Sequence, residues 1–339
     1  MIRYPYLYSG TTIGITAPSS GVSKPLHYLI EQATERLKDK GYKIYYGETI
    51  WTQNKAKSAS AQKRVEELNY LLQDDKIGLI LPPWGGELLI EIIEKIEYDK
   101  IEVKWIMGYS DISLLLLAVT LKTGIATAHS TNLVDIRGKY TDSTTLMWEK
   151  LLKTEIHKFT KQSSSELFQK EWNHDYPSPY VFHLTEKTSW KMVSKLNNVR
   201  IKGRLLGGCI DVIRHLIGTE FGDVQTFQRE FLNNEPLIWY FENSELSVTD
   251  LRRSLIQMRL AGWFENCKGL LFGRSQMTNS QDNYTVLDVY RELSQEIDVP
   301  LIYDIDCGHV PPQMTFINGA EALVEIIDGL ANVTQLFKP

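Results

Sequence analysis

Short apolar runs alternate with stretches of helical spacing along the first third of the chain. Residues 11–17 (T-T-I-G-I-T-A) read as a strand, and Leu26, Leu29, Ile30, Ala33 and Leu37 then share one helix face that stops at Gly41. Residues 42–46 form a second strand, and Ala61, Val65, Leu68 and Leu72 mark a helix over 58–72. The continuous apolar run 77–81 predicts a buried strand, ended by the rigid loop Pro82-Pro83-Trp84-Gly85-Gly86. A helix is expected over 88–96, a strand over 103–107, and a further helix from Leu114, Leu115, Ala118 and Leu121. This alternation predicts an α/β fold whose first domain is a doubly wound, mostly parallel sheet covered on both faces. The loops 17–21, 82–87 and 108–111 then fall at the carboxyl ends of strands, where such sheets place their working residues.

The pattern changes after that. Residues 159–179 are polar, serine-rich and proline-ended, the composition of a linker or surface loop. Strands are expected at 190–193, 203–206, 237–241, 269–272 and 301–305. Gly207-Gly208-Cys209 leads into a helix over 210–217, and Ser247 and Asp250 form a capping box before Leu251, Leu255 and Met258. The tail, 314–337, alternates as a small antiparallel sheet does. The expected organisation is an N-terminal domain over 1–160, a linker over 161–179 and a second, mixed α/β domain over 180–339.

Composition narrows the function. Hydrophobic residues make up 43% of the chain and charged residues 23%, as in ordinary globular proteins. A net charge of −5 with no clustered basic residues argues against a nucleic-acid surface. The first residues lack the apolar core of a signal peptide, and no apolar run approaches the roughly 18 residues that cross a bilayer, so no membrane partner is expected. Cys209, Cys267 and Cys307 are an odd number without C-x-x-C spacing, which points to a reducing, cytoplasmic setting. Neither H-E-x-x-H nor a P-loop occurs, so no metal and no cofactor are expected.

Chemistry concentrates at Gly108-Tyr109-Ser110-Asp111, between an apolar strand and a helix. A serine there can stand at the tip of a sheet, as in a nucleophile elbow, although Ile112 replaces the second glycine of the usual G-x-S-x-G. A plain Ser/Asp helix cap is the simpler alternative. A serine nucleophile needs a base, and the base an orienting acid. His129 follows an apolar run and can reach the rim of Ser110. His309 lies on the loop Asp306-Cys307-Gly308-His309-Val310-Pro311-Pro312, just beyond a buried strand. Glu242 ends the apolar strand W-Y-F-E, where an acid is costly to bury unless paired. Cys307 reads as a small buried hydrophobe. Trp172 and Trp190 read as packing or interface residues near the substrate region.

Several ordered motifs extend this picture: T-A-P-S-S (16–20), P-P-W-G-G (82–86), G-Y-S-D (108–111), R-L-L-G-G-C (204–209), F-E-N-S-E (241–245), L-R-R-S-L-I-Q-M-R-L-A-G (251–262), G-L-L-F-G-R (269–274) and C-G-H-V-P-P (307–312). Together they resemble the serine peptidase family that contains the LD-carboxypeptidases and the microcin C self-immunity peptidases. The resemblance implies Ser110 as nucleophile, His309 as general base and acid, and Glu242 as the residue orienting the imidazole. It also implies an oxyanion hole from the backbone N–H groups of Gly86 and Asp111, with Gly85, Trp84 and Gly208 near the substrate. Asn243 stands where Asp is common in the family, Val310 where Thr is, and Cys209 where microcin-type members tend to have Asn. Ala128-His129-Ser130 replaces a glycine-containing turn. The implied activity is release of terminal D-alanine from cytoplasmic murein tetrapeptide, a step in peptidoglycan recycling. Two alternatives stand beside it: hydrolysis of a peptidyl- or aminoacyl-nucleotide antibiotic, and a catalytically inactive binding protein of the same fold. The expected partner is a small peptide or peptidyl-conjugate substrate, and a homodimer is possible.

Overall fold

The computed structural model describes residues 1–170, 180–194, 198–277, 279–327 and 330–339. Two sheets organise it. The first has six strands in the order Phe316–Asn318, Thr127–His129, Trp105–Gly108, Ile77–Ile80, Thr12–Ile15, Lys43–Tyr46. Its five N-terminal strands are parallel, and Phe316–Asn318 joins antiparallel. Strand order reverses between Thr12–Ile15 and Ile77–Ile80, so the loops that follow these two strands open a crevice between them.

The second sheet has eight strands: Phe159–Ser163, Leu330–Leu336, Glu321–Ile327, Val199–Cys209, Leu237–Glu242, Cys267–Gly273, Leu301–Ile305 and Lys191–Met192. The run from Val199–Cys209 to Leu301–Ile305 is parallel and the flanking strands are antiparallel. Glu242 closes one of the parallel strands, and the loop carrying His309 leaves another. The architecture is the expected one: a doubly wound sheet and a mixed α/β unit.

The helix Ile112–Thr123 ties them together. Its sequence, I-S-L-L-L-L-A-V-T-L-K-T, is apolar around its circumference, and all but Lys122 are buried. A helix with no polar face must be enclosed. It packs on Thr127–His129 and Trp105–Gly108 on one side and on Val199–Cys209, Ile210–Ile213 and Val224–Phe231 on the other. One hydrophobic core runs from the first sheet through this helix to Leu206, Trp239 and Phe241. Gly124, at φ +68°, ends the helix in the left-handed conformation.

Three expectations are corrected. Residues 159–163, read from their polarity as the start of a linker, form an edge strand of the second sheet. Their inward side chains are polar but satisfied: Thr160 Oγ1 lies 2.8 Å from Thr154 Oγ1, and Gln162 exchanges hydrogen bonds with the Thr315 backbone. The tail does not make a sheet of its own. Phe316–Asn318 extends the first sheet, while Glu321–Ile327 and Leu330–Leu336 extend the second, with the buried Gln335 amide bonding Ile317 N–H and Thr315 C=O between them. The segment read as a helix over 88–96 is a 3₁₀ turn sequence, Leu89–Lys95.

Candidate active site

The strand Trp105–Gly108 enters the helix Ile112–Thr123 through three residues, and the turn is tight enough to force Ser110 to φ +63°. A left-handed serine is a conformational cost that surrounding packing must hold in place. It lifts the hydroxyl out of the sheet, as a nucleophile elbow does. The next residue supplies part of the restraint: the Asp111 carboxylate is buried and accepts hydrogen bonds from Ser19 Oγ (2.5 Å) and Leu89 N–H (2.9 Å). Burial raises the Asp111 pKa above its ordinary value, against the lowering effect of these two donors.

The two crevice loops are braced from behind. Arg64, fully buried, donates from Nη1 to the carbonyls of Pro18 and Leu88, both at 2.9 Å, and pairs with Glu91. Ser20 N–H donates to Gly85 C=O at 3.2 Å. These bonds press Gly85 against the elbow. A Cβ built there would fall 2.6 Å from Ser110 Cβ and 3.0 Å from the Asp111 nitrogen, so only glycine allows the approach. Among the described residues, the backbone N–H groups of Gly86 and Asp111 have no hydrogen-bond partner.

From the second sheet, His309 Nε2 comes to 3.1 Å from Ser110 Oγ, and His309 Nδ1 to 2.8 Å from Glu242 Oε2. Glu242 has no exposed surface. Gly308, at φ +94°, lets the loop pass directly over it: a Cβ there would meet the Glu242 carboxylate at 2.5 Å. Burial works against charge on both partners, and their mutual attraction outweighs it. The His309 pKa is pushed up to about 9, and the Glu242 carboxyl lies below its ordinary value. Serine, imidazole and carboxylate thus stand in one hydrogen-bonded line.

A cavity of about 450 Å³ opens over Ser110 and His309, walled by Ser20, Gln53, Trp84, Gly85, Gly86 and Asn132. Trp84 is held by its Nε1–H donating to Gly21 C=O at 3.1 Å. The remaining sequence candidates lie elsewhere. Gly208 does not line this cavity; it faces the elbow helix, where a Cβ would sit 2.7 Å from Ser113 Cβ, and its role is close packing. His129 is not on the rim. It is fully buried behind Tyr109, its ring 6.4 Å from the tyrosine's, and burial pushes its pKa down to about 4, so it stays neutral. Trp190 Nε1–H donates to Asp306 at 2.9 Å inside the second core and does not line this cavity, and Trp172 lies outside the described residues. Cys307 is fully buried.

Cys209, Glu242 and His309 place their donor atoms within 4.8 Å of one another. The Cys209 thiol is pushed well up by burial and by the Glu242 and Asp211 carboxylates, and it donates to Asp211 Oδ2 at 3.3 Å. A thiol held protonated beside an imidazole already committed to a carboxylate is a poor cation ligand set. Sequence reasoning did not find Asn132, Ser19 or Arg64. Asn132 Oδ1 accepts from Tyr109 N–H at 3.3 Å and opens a capping box with Asp135, a signal visible as N-L-V-D. Ser19 lies in the T-A-P-S-S loop, but its tie to Asp111 left no signal, and Arg64 left no local signature at all, because their partners are distant in sequence.

Comparison with known proteins assigns the family. Family models described as the LD-carboxypeptidase N-terminal domain and the LD-carboxypeptidase C-terminal domain match residues 13–130 and 202–324. The chain belongs to the LD-carboxypeptidase family. It is a serine-type carboxypeptidase-like hydrolase, and relatives covering nearly its whole length carry names of that kind. A Vibrio cholerae protein named as a carboxypeptidase is 25% identical over 333 residues, 96% of this chain and 95% of its own. A Bacillus subtilis protein named "Probable murein peptide carboxypeptidase" is 22% identical over 330 residues, 96% and 92% of the two chains. The fold is also that of the microcin C7 self-immunity protein MccF, solved with aspartyl sulfamoyl adenosine, with a TM-score of 0.82 at 19% identity over 100% of both chains.

Proposed function

We propose that this LD-carboxypeptidase family member hydrolyses the L,D bond before a terminal D-alanine of murein tetrapeptide, with Ser110, His309 and Glu242 as its catalytic triad. The observation that carries the catalytic reading is the continuous line from Ser110 Oγ through His309 to Glu242, at 3.1 and 2.8 Å. His309 Nε2 takes the Ser110 proton as Oγ attacks the peptide carbonyl carbon. Glu242 holds the Nδ1 proton and stabilises the imidazolium. The oxyanion meets the N–H groups of Asp111 and Gly86, preorganised by the Ser20–Gly85 bond and the Gly85 approach. His309 then protonates the departing amine of D-alanine, and water resolves the acyl-serine by the reverse path.

The murein preference is supported by the Bacillus subtilis relative's name and by a small cavity with polar walls at Ser20, Gln53 and Asn132. Cytoplasmic residence is supported by three unpaired, buried cysteines. Among the described residues no helix is long and apolar enough to cross a membrane. One observation favours a second reading: Trp84 lines the cavity and offers an aromatic face for a nucleobase, so an aminoacyl-nucleotide conjugate is the rival substrate. Side-by-side hydrolysis of L-Ala-γ-D-Glu-meso-diaminopimelyl-D-Ala and aspartyl sulfamoyl adenosine separates them. Release of D-alanine is the expected result; cleavage of the conjugate with the tetrapeptide untouched reverses the preference.

Two further outcomes follow here. Gly85→Ala should lower kcat by about 10²-fold, because its methyl group would displace Ser110 and the Asp111 N–H together; steady-state kinetics beside circular dichroism would show activity lost with the fold kept. EDTA should leave turnover unchanged. Loss of turnover restored by added zinc would overturn the serine mechanism.

A further inference from the structure

His309 sits on a loop, residues 306–314, that has no regular secondary structure. Yet its ring must meet two partners at once, 2.8 and 3.1 Å away on different sheets. Something has to hold the loop. Its base is a buried ion pair between Arg274 and Asp306, which are 6% and 0% exposed. Arg274 follows the strand Cys267–Gly273 and projects into the loop. One guanidinium nitrogen, Nη2, lies 2.8 Å from Asp306 Oδ1, 3.3 Å from Val310 C=O and 3.1 Å from Pro312 C=O. These acceptors flank His309 on both sides.

Asp306 is saturated in turn. Oδ1 also accepts from Ser165 Oγ at 2.5 Å, and Oδ2 accepts from Ser165 N–H at 3.0 Å and Trp190 Nε1–H at 2.9 Å. Gln169 N–H donates to Pro311 C=O at 2.8 Å, and the guanidinium lies 4.8 Å from the Phe168 ring centroid. The segment 165–169 therefore clamps the far side of the loop. A buried ion pair is weak evidence for stability, since desolvation offsets much of the attraction. Its guanidinium here reaches the backbone on either side of one functional histidine, Asp304 C=O through Nη1 at 3.5 Å and the Val310 and Pro312 carbonyls through Nη2, which a purely stabilising pair does not require.

We propose that Arg274, seated by Asp306, Ser165 and Trp190, is a positioning residue that fixes the His309 imidazole between Glu242 and Ser110. This rests on the triad reading above. Arg274 touches no reacting atom and acts only through His309. Lysine cannot replace it fully, because a point-charge ammonium lacks the planar fork.

The test uses the full chain and needs no knowledge of the natural substrate. Phosphonylation of Ser110 by a fluorophosphonate is timed by intact mass, and the His309 Nδ1–H proton bonded to Glu242 is followed as a far-downfield NMR resonance. Arg274→Met should slow labelling by about 10²-fold, as misplacement by an ångström does, and should erase or broaden the resonance. Arg274→Lys should fall between Arg274→Met and wild type. In a His309→Ala background, Arg274→Met should cost nothing further. If Arg274→Met fails to fold, Arg274→Lys and Ser165→Ala carry the same readouts. Wild-type labelling rates with an unchanged resonance in the folded variants would overturn the proposal, as would slowing that persists in the His309→Ala background. Wild-type protein that is not labelled at Ser110 would instead overturn the triad, and this inference with it.

Discussion

Replacing Ser110 by alanine should lower kcat by about 10⁶-fold, and His309→Ala should cost nearly as much, while the double variant is scarcely worse than either. The magnitude is that of serine peptidases whose triad acts as one unit, where removing a single member already forfeits the covalent route. Geometry makes this the largest effect in the molecule. Ser110 is the residue at the tip of the elbow, and its hydroxyl is 3.1 Å from the imidazole that would deprotonate it. Alanine tolerates the left-handed backbone about as well as serine, so Ser110→Ala should preserve the strained turn and change the chemistry alone. Turnover of D-alanine-terminated peptide by coupled amino-acid detection measures it. Activity within about tenfold of wild type in Ser110→Ala would remove serine catalysis from consideration.

Much of this architecture was legible because local pattern and tertiary role coincide. The apolar runs at 77–81 and 237–241 have one physical solution, a strand buried on both faces, and the structure uses them so. Glu242 stood out because an acid ending such a strand has to be paired, and it is. The hydrophobic and polar pattern failed where polar groups face inward. Thr160 and Gln162 are buried with their polar groups satisfied, Thr160 by nearby Thr154 and Gln162 by Thr315 far along the chain, so a strand there looked like a linker.

His129 misled for the opposite reason. It follows an apolar run at a strand end, as a rim residue would, but Phe316–Asn318 pairs alongside that strand, with Phe316 opposite His129, and closes it over. No local signal announces a strand arriving from the far end of the sequence. The clasp on the His309 loop was hidden likewise: Ser165, Trp190, Arg274 and Asp306 converge from four separate segments. The resemblance put Gly208 near the substrate. Glycine at 208 instead admits the elbow helix, and the Cys209 N–H donates to Ser113 Oγ at 3.0 Å.

Glu242→Gln should lower kcat by about 10⁴-fold and shift the pH dependence of what remains, and the two effects have one cause. Gln keeps the size of the side chain but removes the charge that holds the Nδ1 proton and stabilises the imidazolium; the corresponding acid-to-amide change in a serine protease triad costs about this much. In the intact protein the carboxylate overcomes burial and pushes His309 up to about 9, so kcat/KM should rise with pH along a limb approaching that value as the imidazolium is deprotonated. Without the charge, burial is the larger remaining influence, and it favours the neutral ring. The limb of the residual activity should therefore move to the acid side. Stability follows the same signs. His309, raised on folding, contributes stability that is complete below its unfolded pKa of about 6.5 and is lost as pH rises through about 9. Glu242, lowered on folding, contributes stability that is present above its unfolded pKa of about 4.3 and is lost as pH falls through its folded value. The pair is thus fully stabilising only between about pH 4.3 and 6.5. Thermal melts across pH 5–10 should show wild type losing stability from about pH 6.5 towards 9, a slope that Glu242→Gln lacks. A limb at the same pH in both proteins would mean that Glu242 does not set the charge state of His309.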